Sequence, residues 1–163
     1  AMLEMLFATG MRISELLGLK RDQIEYASGK IFIKGKGKKE RFVYLTERAL
    51  MQLDKYLKKR SDRLPHLWIP MRGSNSGSNF KGISPNYLQS KIKEYRELLN
   101  INVPTSAHSL RHGYATYLAE SGANPAAIQV LLGHESLDTT TRYVHASDRY
   151  AESEHQKFHP LKK

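Results

Sequence analysis

The sequence contains one pair of strand-like segments among segments with helical spacing, and this pattern limits the folds that it can adopt. Residues 30–34, KIFIK, and residues 41–45, RFVYL, are short β-branched and aromatic runs that flank the glycine-containing GKGKKE at 35–40. Two such runs joined by a short loop predict an antiparallel hairpin. The segments on either side of this pair carry helical spacing instead. The sequence therefore predicts a mainly helical domain with one small antiparallel sheet.

Capping residues divide the remaining segments into helices. The apolar start is broken at Gly10 and predicts two amphipathic helices, the first of which has no cap before it, so we expect the chain to be a fragment of a longer protein. The predicted caps are Thr46, Ser84, Asn124 and Asp138 at amino-terminal ends, and Gly122 and Gly133 at carboxyl-terminal ends. The glycine- and serine-rich residues 72–82 predict a mobile loop.

Composition favours one basic globular domain. Of the 163 residues, 26 are Lys or Arg and 16 are Asp or Glu, which gives a net charge of +10. A positive field of this kind suits a polyanion, so we expect nucleic acid as the partner, although basic domains without nucleic acid are also common. The chain has no cysteine, and charged residues interrupt its apolar start, so neither disulfides nor a signal peptide is predicted. We expect a soluble, cytoplasmic protein.

Two arginines and a histidine are the first candidates for chemistry. His108 and Arg111 are three residues apart at the start of a predicted helix, so both can reach one anion near the positive end of the helix dipole. The same spacing is also typical of a histidine that makes only a structural hydrogen bond. Arg12 follows the break at Gly10, with Glu15 one turn further. Arg12 therefore either pairs with Glu15 alone or joins Arg111 in a phosphate clamp.

The hairpin loop and one tyrosine complete the candidates. The loop lacks the spacing of a nucleotide-binding phosphate loop, but Lys36 stands between Gly35 and Gly37 and can approach a substrate closely. Tyr143 follows three threonines and an arginine, and it is either a packed aromatic or a nucleophile. A phenol, with a pKa of about 10, attacks at neutral pH only beside a base or strong positive charge. The remaining histidines lack metal-ligand spacing, so we expect no metal site.

Four motifs occur in an order and spacing typical of one protein family. They are ATGMRISELLGL (8–19), IKGKGKKERFVYL (33–45), AHSLRHGYATYLAESG (107–122) and VLLGHESLDTTTRYVH (130–145). Together they resemble the catalytic domain of the tyrosine recombinases, the phage-integrase superfamily, and most closely its Xer-type members. The resemblance implies an α+β, mainly helical domain over residues 1–163 with a small three-stranded antiparallel sheet. It also implies that the amino-terminal DNA-clamping (core-binding) domain and the first part of the catalytic domain are absent.

The same resemblance implies an enzyme that breaks and rejoins duplex DNA without metal, ATP or another cofactor. Its catalytic positions correspond to Arg12, Lys36, His108, Arg111, His134 and Tyr143, with Glu15 supporting the first arginine from behind. Tyr143 is implied to form a 3′-phosphotyrosyl link to DNA. The residues of the hairpin that we expect to bind DNA are Lys34, Lys38, Lys39 and Arg41. Residues 147–163 are implied to be a tail that is exchanged with a neighbouring copy in a tetramer on paired DNA sites.

Other functions fit part of the same pattern. A type IB topoisomerase uses similar chemistry but relaxes supercoils as a monomer instead of exchanging strands. A catalytically silent DNA-binding module is a second alternative, because residues 124–144 superficially resemble a helix-turn-helix. Within the recombinases, the sequence does not distinguish chromosome dimer resolution from phage or mobile-element integration.

Overall fold

The computed structural model describes residues 1–34, 40–70, 82–133 and 155–156, and the chain divides after Tyr114 into two compact units. The elements are, in chain order, α1 (Met2–Thr9), α2 (Ile13–Leu17), a 3-10 helix (Arg21–Gln23), β1 (Ile24–Glu25), β2 (Lys30–Lys34), β3 (Glu40–Tyr44), α3 (Glu47–Leu57), α4 (Pro85–Leu98), α5 (Ala107–Glu120) and α6 (Pro125–Leu132). The mainly helical α+β fold is therefore confirmed. Among the described residues, no helix combines the length and the apolar character needed to cross a membrane.

The sheet is antiparallel, with the strand order β1-β2-β3. The predicted hairpin is confirmed, and its register pairs Ile31 with Val43 and Ile33 with Arg41. The third strand, β1, has only two residues, too few to show an alternation in the sequence. Because side chains alternate across a strand, the inner face of the hairpin carries Ile31, Ile33, Val43 and also Arg41, which is buried with them.

Local capping explains where most of the helices begin and end. The side chain of Thr46 accepts a hydrogen bond from the Ala49 N–H, that of Ser84 from the Tyr87 N–H, and that of Asn124 from the Ala126 N–H. The glycines Gly10, Gly122 and Gly133 all have positive φ, as expected after a helix. The sequence predicts Gly10 as the break between the first two helices and the other residues as caps, and the structure confirms both predictions. The predicted cap Asp138, and residues 72–81 of the predicted mobile loop, lie outside the described residues.

The core of the first unit fixes the turn between α1 and α2. Met5 and Leu6 before the turn, Met11 within it and Leu16 after it are all fully buried. Burial of a side chain of this size contributes about 1.5–3 kcal/mol relative to leaving it exposed. The turn that carries Arg12 is therefore held by apolar packing on both sides. The rest of this core comes from the sheet, α3, α4, the segment Leu67–Trp68, Leu19, Leu45 and Ala107 of α5.

Candidate active site

The α1–α2 turn presents Arg12 to solvent from a rigid base. Helix α1 ends at Gly10, whose φ of 61° and ψ of 16° are left-handed. The Thr9 hydroxyl donates to the Met5 carbonyl at 2.6 Å and accepts from the Met11 N–H at 3.3 Å. Arg12 is then the amino-terminal cap residue of α2, and its side chain is 44% exposed. A partly exposed guanidinium on a buried turn is suited to binding an anion that arrives from solvent.

The start of α5 brings Arg111 to the same turn. Ser106 and Ser109 cap the helix reciprocally, because the Ser106 N–H donates to Ser109 Oγ at 2.6 Å and the Ser109 N–H donates to Ser106 Oγ at 3.1 Å. His108, in the first turn, is exposed, whereas Arg111 is only 8% exposed. Arg111 Nη1 donates to the Gly10 carbonyl at 2.6 Å. This buried bond joins the H-x-x-R helix to the backbone two residues before Arg12.

Glu15 is the carboxylate of the cluster, and it binds two arginines. Its Oε2 accepts from the Arg12 N–H at 2.7 Å, and its Oε1 accepts from Arg12 Nη1 at 3.1 Å. Arg41 donates to the same carboxylate from both terminal guanidinium nitrogens, Nη1 to Oε1 at 2.9 Å and Nη2 to Oε2 at 2.7 Å. Bidentate, charge-assisted bonds of this kind are among the strongest that side chains make. Arg12 therefore does pair with Glu15, and the pairing holds its guanidinium at the turn.

The pKa of Glu15 reflects this environment. Burial raises the pKa of the carboxyl, but the hydrogen bonds from Arg41 and Arg12 and their positive charges lower it further than burial raises it, so that the pKa lies below its usual value. Glu15 is therefore ionised at neutral pH and neutralises part of the charge of Arg12 and Arg41. Among the described residues, the guanidinium groups of Arg12, Arg41 and Arg111 accompany one carboxylate, so this part of the site has an excess of positive charge.

Arg41 does not lie where the sequence prediction placed it. The sequence predicts that Arg41, in the basic hairpin, contacts DNA. The Arg41 side chain is instead 6% exposed and forms an ion pair with Glu15. The physical reason is strand alternation, which places Arg41 on the inner face with Val43, opposite Ile33. That alternation is visible in the sequence, whereas the usual exposure of arginine favours the opposite placement.

The remaining predicted site residues divide into two groups. Lys34 is exposed at the end of β2, with its ammonium 3.8 Å from Glu40, so it remains a candidate for DNA binding. The others lie outside the described residues and stay predictions: Lys36, Lys38, Lys39, His134 and Tyr143. The structure thus brings together Arg12, Glu15 and Arg111. Sequence reasoning missed two parts of this arrangement, namely the Gly10 carbonyl and the Arg41 side chain.

This arrangement can bind and neutralise a phosphodiester. Two guanidinium groups, each anchored by its own hydrogen bond, carry several donors in fixed directions, and both come from elements packed on one core. Fixed donors of this type stabilise charge that develops on phosphate oxygens. Within the described ranges, no group of three or more histidine, aspartate or glutamate side chains lies together as a metal site requires.

Known proteins are similar to this chain in sequence and in fold. Residues 1–149 match the phage integrase family. The chain is 37% identical over 164 residues to tyrosine recombinase XerC 2 of Ralstonia nicotianae, covering 99% of this chain and 46% of that protein. It is 37% identical over 161 residues to tyrosine recombinase XerD of Shewanella oneidensis, covering 98% of this chain and 53% of that protein. The chain therefore spans about half the length of these curated relatives.

A solved structure agrees with the sequence comparison. The XerH site-specific recombinase, bound to its difH substrate in a pre-cleavage complex, superposes with a TM-score of 0.76 at 28% identity, covering 94% of this chain and 44% of that chain. One explanation accounts for the four motifs, the three-stranded sheet and the arrangement of Arg12 and Arg111, which is that the chain belongs to the phage integrase family.

Proposed function

We propose that this chain is the catalytic part of a site-specific DNA recombinase, which cleaves and rejoins duplex DNA in the cytoplasm through a covalent 3′-phosphotyrosyl intermediate. The observation that carries the proposal is the pair of anchored arginines, Arg12 held by Glu15 and Arg111 held by the Gly10 carbonyl. The net charge of +10 and the names of the relatives, tyrosine recombinases, support it.

In the proposed reaction, Tyr143 is the nucleophile. Its oxygen attacks the scissile phosphorus, the bond from phosphorus to the 5′ oxygen breaks, and the leaving oxygen takes a proton to become a 5′ hydroxyl. Lys36 donates that proton, and His108 accepts the proton of the phenol. Arg12, Arg111 and His134 stabilise the extra negative charge on the non-bridging oxygens. One phosphoester replaces another, so that a second 5′ hydroxyl reverses the step without ATP.

We propose duplex DNA and further copies of the same chain as the partners. Lys34, Lys38 and Lys39 contact the DNA backbone, while Arg41 acts from the protein interior. Four copies assemble on two paired sites, and residues 147–163 of each copy dock on a neighbour with Phe158 as the buried anchor. Deletion of residues 147–163 is expected to weaken assembly on paired sites in native gels while the circular dichroism spectrum keeps its helical signal. Full assembly by the deleted chain contradicts the exchange.

The covalent intermediate gives the most direct test. Nicked duplexes with randomised arms are incubated with the chain, and protein-linked strands are recovered from a denaturing gel and sequenced. We expect adducts on a defined site, linked to a 3′ phosphate. Tyr143→Phe lacks only the attacking oxygen, so it should bind the selected duplex and form no adduct.

Tyr150→Phe is the matched control, since Tyr150 is the next tyrosine in the chain and should be dispensable. Adducts with Tyr143→Phe, or their loss only with Tyr150→Phe, move the nucleophile elsewhere. A parent chain that binds duplexes but never links to them is a DNA-binding module. Relaxation of a supercoiled plasmid without strand exchange between two selected sites indicates a topoisomerase.

A further inference from the structure

Arg41 lies behind the candidate active site and shares a carboxylate with Arg12. The Arg41 and Glu15 side chains are 6% and 8% exposed, whereas Arg12 is 44% exposed. Glu15 therefore has an interior partner on β3 and an outward partner on its own helix. Both partners use both of its oxygens. The carboxylate cannot move toward Arg12 or away from it without breaking a bond to Arg41.

Arg41 also helps to keep Glu15 ionised. Burial opposes the charged form of this carboxyl, and Arg41 provides the largest opposing contribution, ahead of Arg12. A neutral carboxyl at this depth would keep at most one acceptor for the Arg12 N–H and would attract its guanidinium much less. The orientation of Arg12 thus depends on a residue that is itself out of reach of solvent.

Strand β3, which contains Arg41, also belongs to a second part of the site, the β2-β3 hairpin. Arg41 pairs with Ile33 in the β2-β3 register, and Glu40 beside it pairs with Lys34. Lys36 lies between these two strands in the sequence. The Arg41 side chain therefore links β3, the strand that follows Lys36 in the sequence, to α2, the helix whose amino-terminal cap residue is Arg12.

We propose that Arg41 is a positioning residue, which fixes the Arg12 guanidinium for the scissile phosphate through Glu15, and this inference rests on the recombinase function proposed above. Arg41 does not touch DNA. It acts by keeping a buried carboxylate charged, in place and correctly oriented.

The test compares two substrates that differ by one charge. A methylphosphonate at the scissile position replaces one negative oxygen by a methyl group, so its cleavage needs less neutralisation by arginine. Arg41→Gln is expected to slow adduct formation on the phosphodiester by about 100-fold in single-turnover assays, because a misplaced catalytic group costs that much. On the methylphosphonate the loss should be several-fold at most, and the DNA dissociation constant should change little. Arg41→Lys, which keeps the charge and loses the fork, should fall between Arg41→Gln and the parent.

Arg48→Gln is the matched control. Arg48 pairs with Glu4 at the surface with its side chain 75% exposed, so its loss removes the same charge without touching Glu15. We expect parent rates on both substrates. If Arg41→Gln and Arg48→Gln behave alike, or if Arg41→Gln loses equally on both substrates, Arg41 has no positioning role.

A second measurement needs no DNA and separates this inference from the proposed function. The Arg12 backbone N–H donates to Glu15 Oε2, so its proton chemical shift follows the ionisation of Glu15. Within the part of the chain that the structure describes, the charged groups that face Glu15 are Arg12 and Arg41, and Lys20, Asp22 and Lys34 line the same pocket. In Arg41→Gln the titration of this signal is expected to move to higher pH. An unchanged titration overturns the inference even if the parent chain recombines DNA, and failure of the parent to form adducts overturns the proposed function alone.

Discussion

Replacement of Gly10 by alanine tests whether the α1–α2 turn sets the position of Arg111. Gly10 is buried and left-handed, with a φ of 61° and a ψ of 16°. A residue with a Cβ pays about 1–2 kcal/mol in that conformation. The Gly10 carbonyl also accepts the 2.6 Å bond from Arg111 Nη1. Relief of the strain requires the peptide to rotate, and that rotation moves the carbonyl.

Two losses of different origin are therefore expected. The free energy of unfolding, measured in urea, should fall by about 1–2 kcal/mol through backbone strain. The rate of covalent adduct formation on a selected nicked duplex should fall by about 100-fold, because Arg111 follows the carbonyl away from its working position. Gly10→Asn should recover much of both, since asparagine tolerates the left-handed region better than other side chains.

Gly122 supplies the control for backbone strain. It also follows a helix with positive φ, at 80°, and nothing lies within 4 Å of a Cβ added there. Gly122→Ala should therefore cost a similar free energy of unfolding and leave adduct formation near the parent rate. If the two alanine variants slow adduct formation to the same extent, the loss follows stability, and the reasoning about Arg111 is wrong.

Two further predictions concern the acid limit of stability and the proton donor. The Asp62 carboxylate accepts a hydrogen bond from the buried Arg60, and this bond holds the pKa of the carboxyl well below its usual range. The pair therefore stabilises the fold above the unfolded-state pKa of 3.8, and this stabilisation is lost as the pH falls toward the folded-state pKa. Asp62→Asn should lower the free energy of unfolding by about 2 kcal/mol at pH 7, with a smaller difference at pH 3, and an equal difference at both pH values would contradict this. Lys36→Ala should cleave a substrate with a bridging 5′ sulfur, which leaves without a proton, far better than its oxygen counterpart. Lys38→Ala, which removes only a proposed contact to the DNA backbone, should slow both substrates by the same factor, and equal defects of Lys36→Ala on both would exclude the proton donor role.

The features that the sequence predicted are those that neighbouring residues determine. Thr46, Ser84 and Asn124 cap their helices through bonds to residues two or three positions away, so their spacing alone reveals them. The hairpin is equally local, since alternation and a short loop specify it. β1 was not visible as a pattern, because two residues cannot display a period. Only the resemblance to the recombinases implied a third strand.

The contacts that assemble the site join residues far apart in the sequence. Arg41 binds Glu15 across 26 positions, and Arg111 binds the Gly10 carbonyl across 101. No local pattern encodes such distances. The motif H-x-x-R could only place His108 and Arg111 on one helical face, and the basic composition of the hairpin favoured an exposed Arg41. Strand alternation alone favours the inner face for Arg41, and its carboxylate partner Glu15 explains why an arginine is stable there.

The two arginines of the site are anchored by different chemistry, and this difference has a consequence for pH. Arg111 donates to a backbone carbonyl, which does not titrate between pH 3 and 9, so this bond persists while the fold does. Arg12 depends on Glu15, whose ionisation depends in turn on Arg41. Acid therefore releases Arg12 before Arg111, and it does so only below the usual pKa of a glutamate, because Arg41 and Arg12 together keep the carboxylate charged. The interior arginine thus extends to lower pH the range over which both guanidinium groups are anchored.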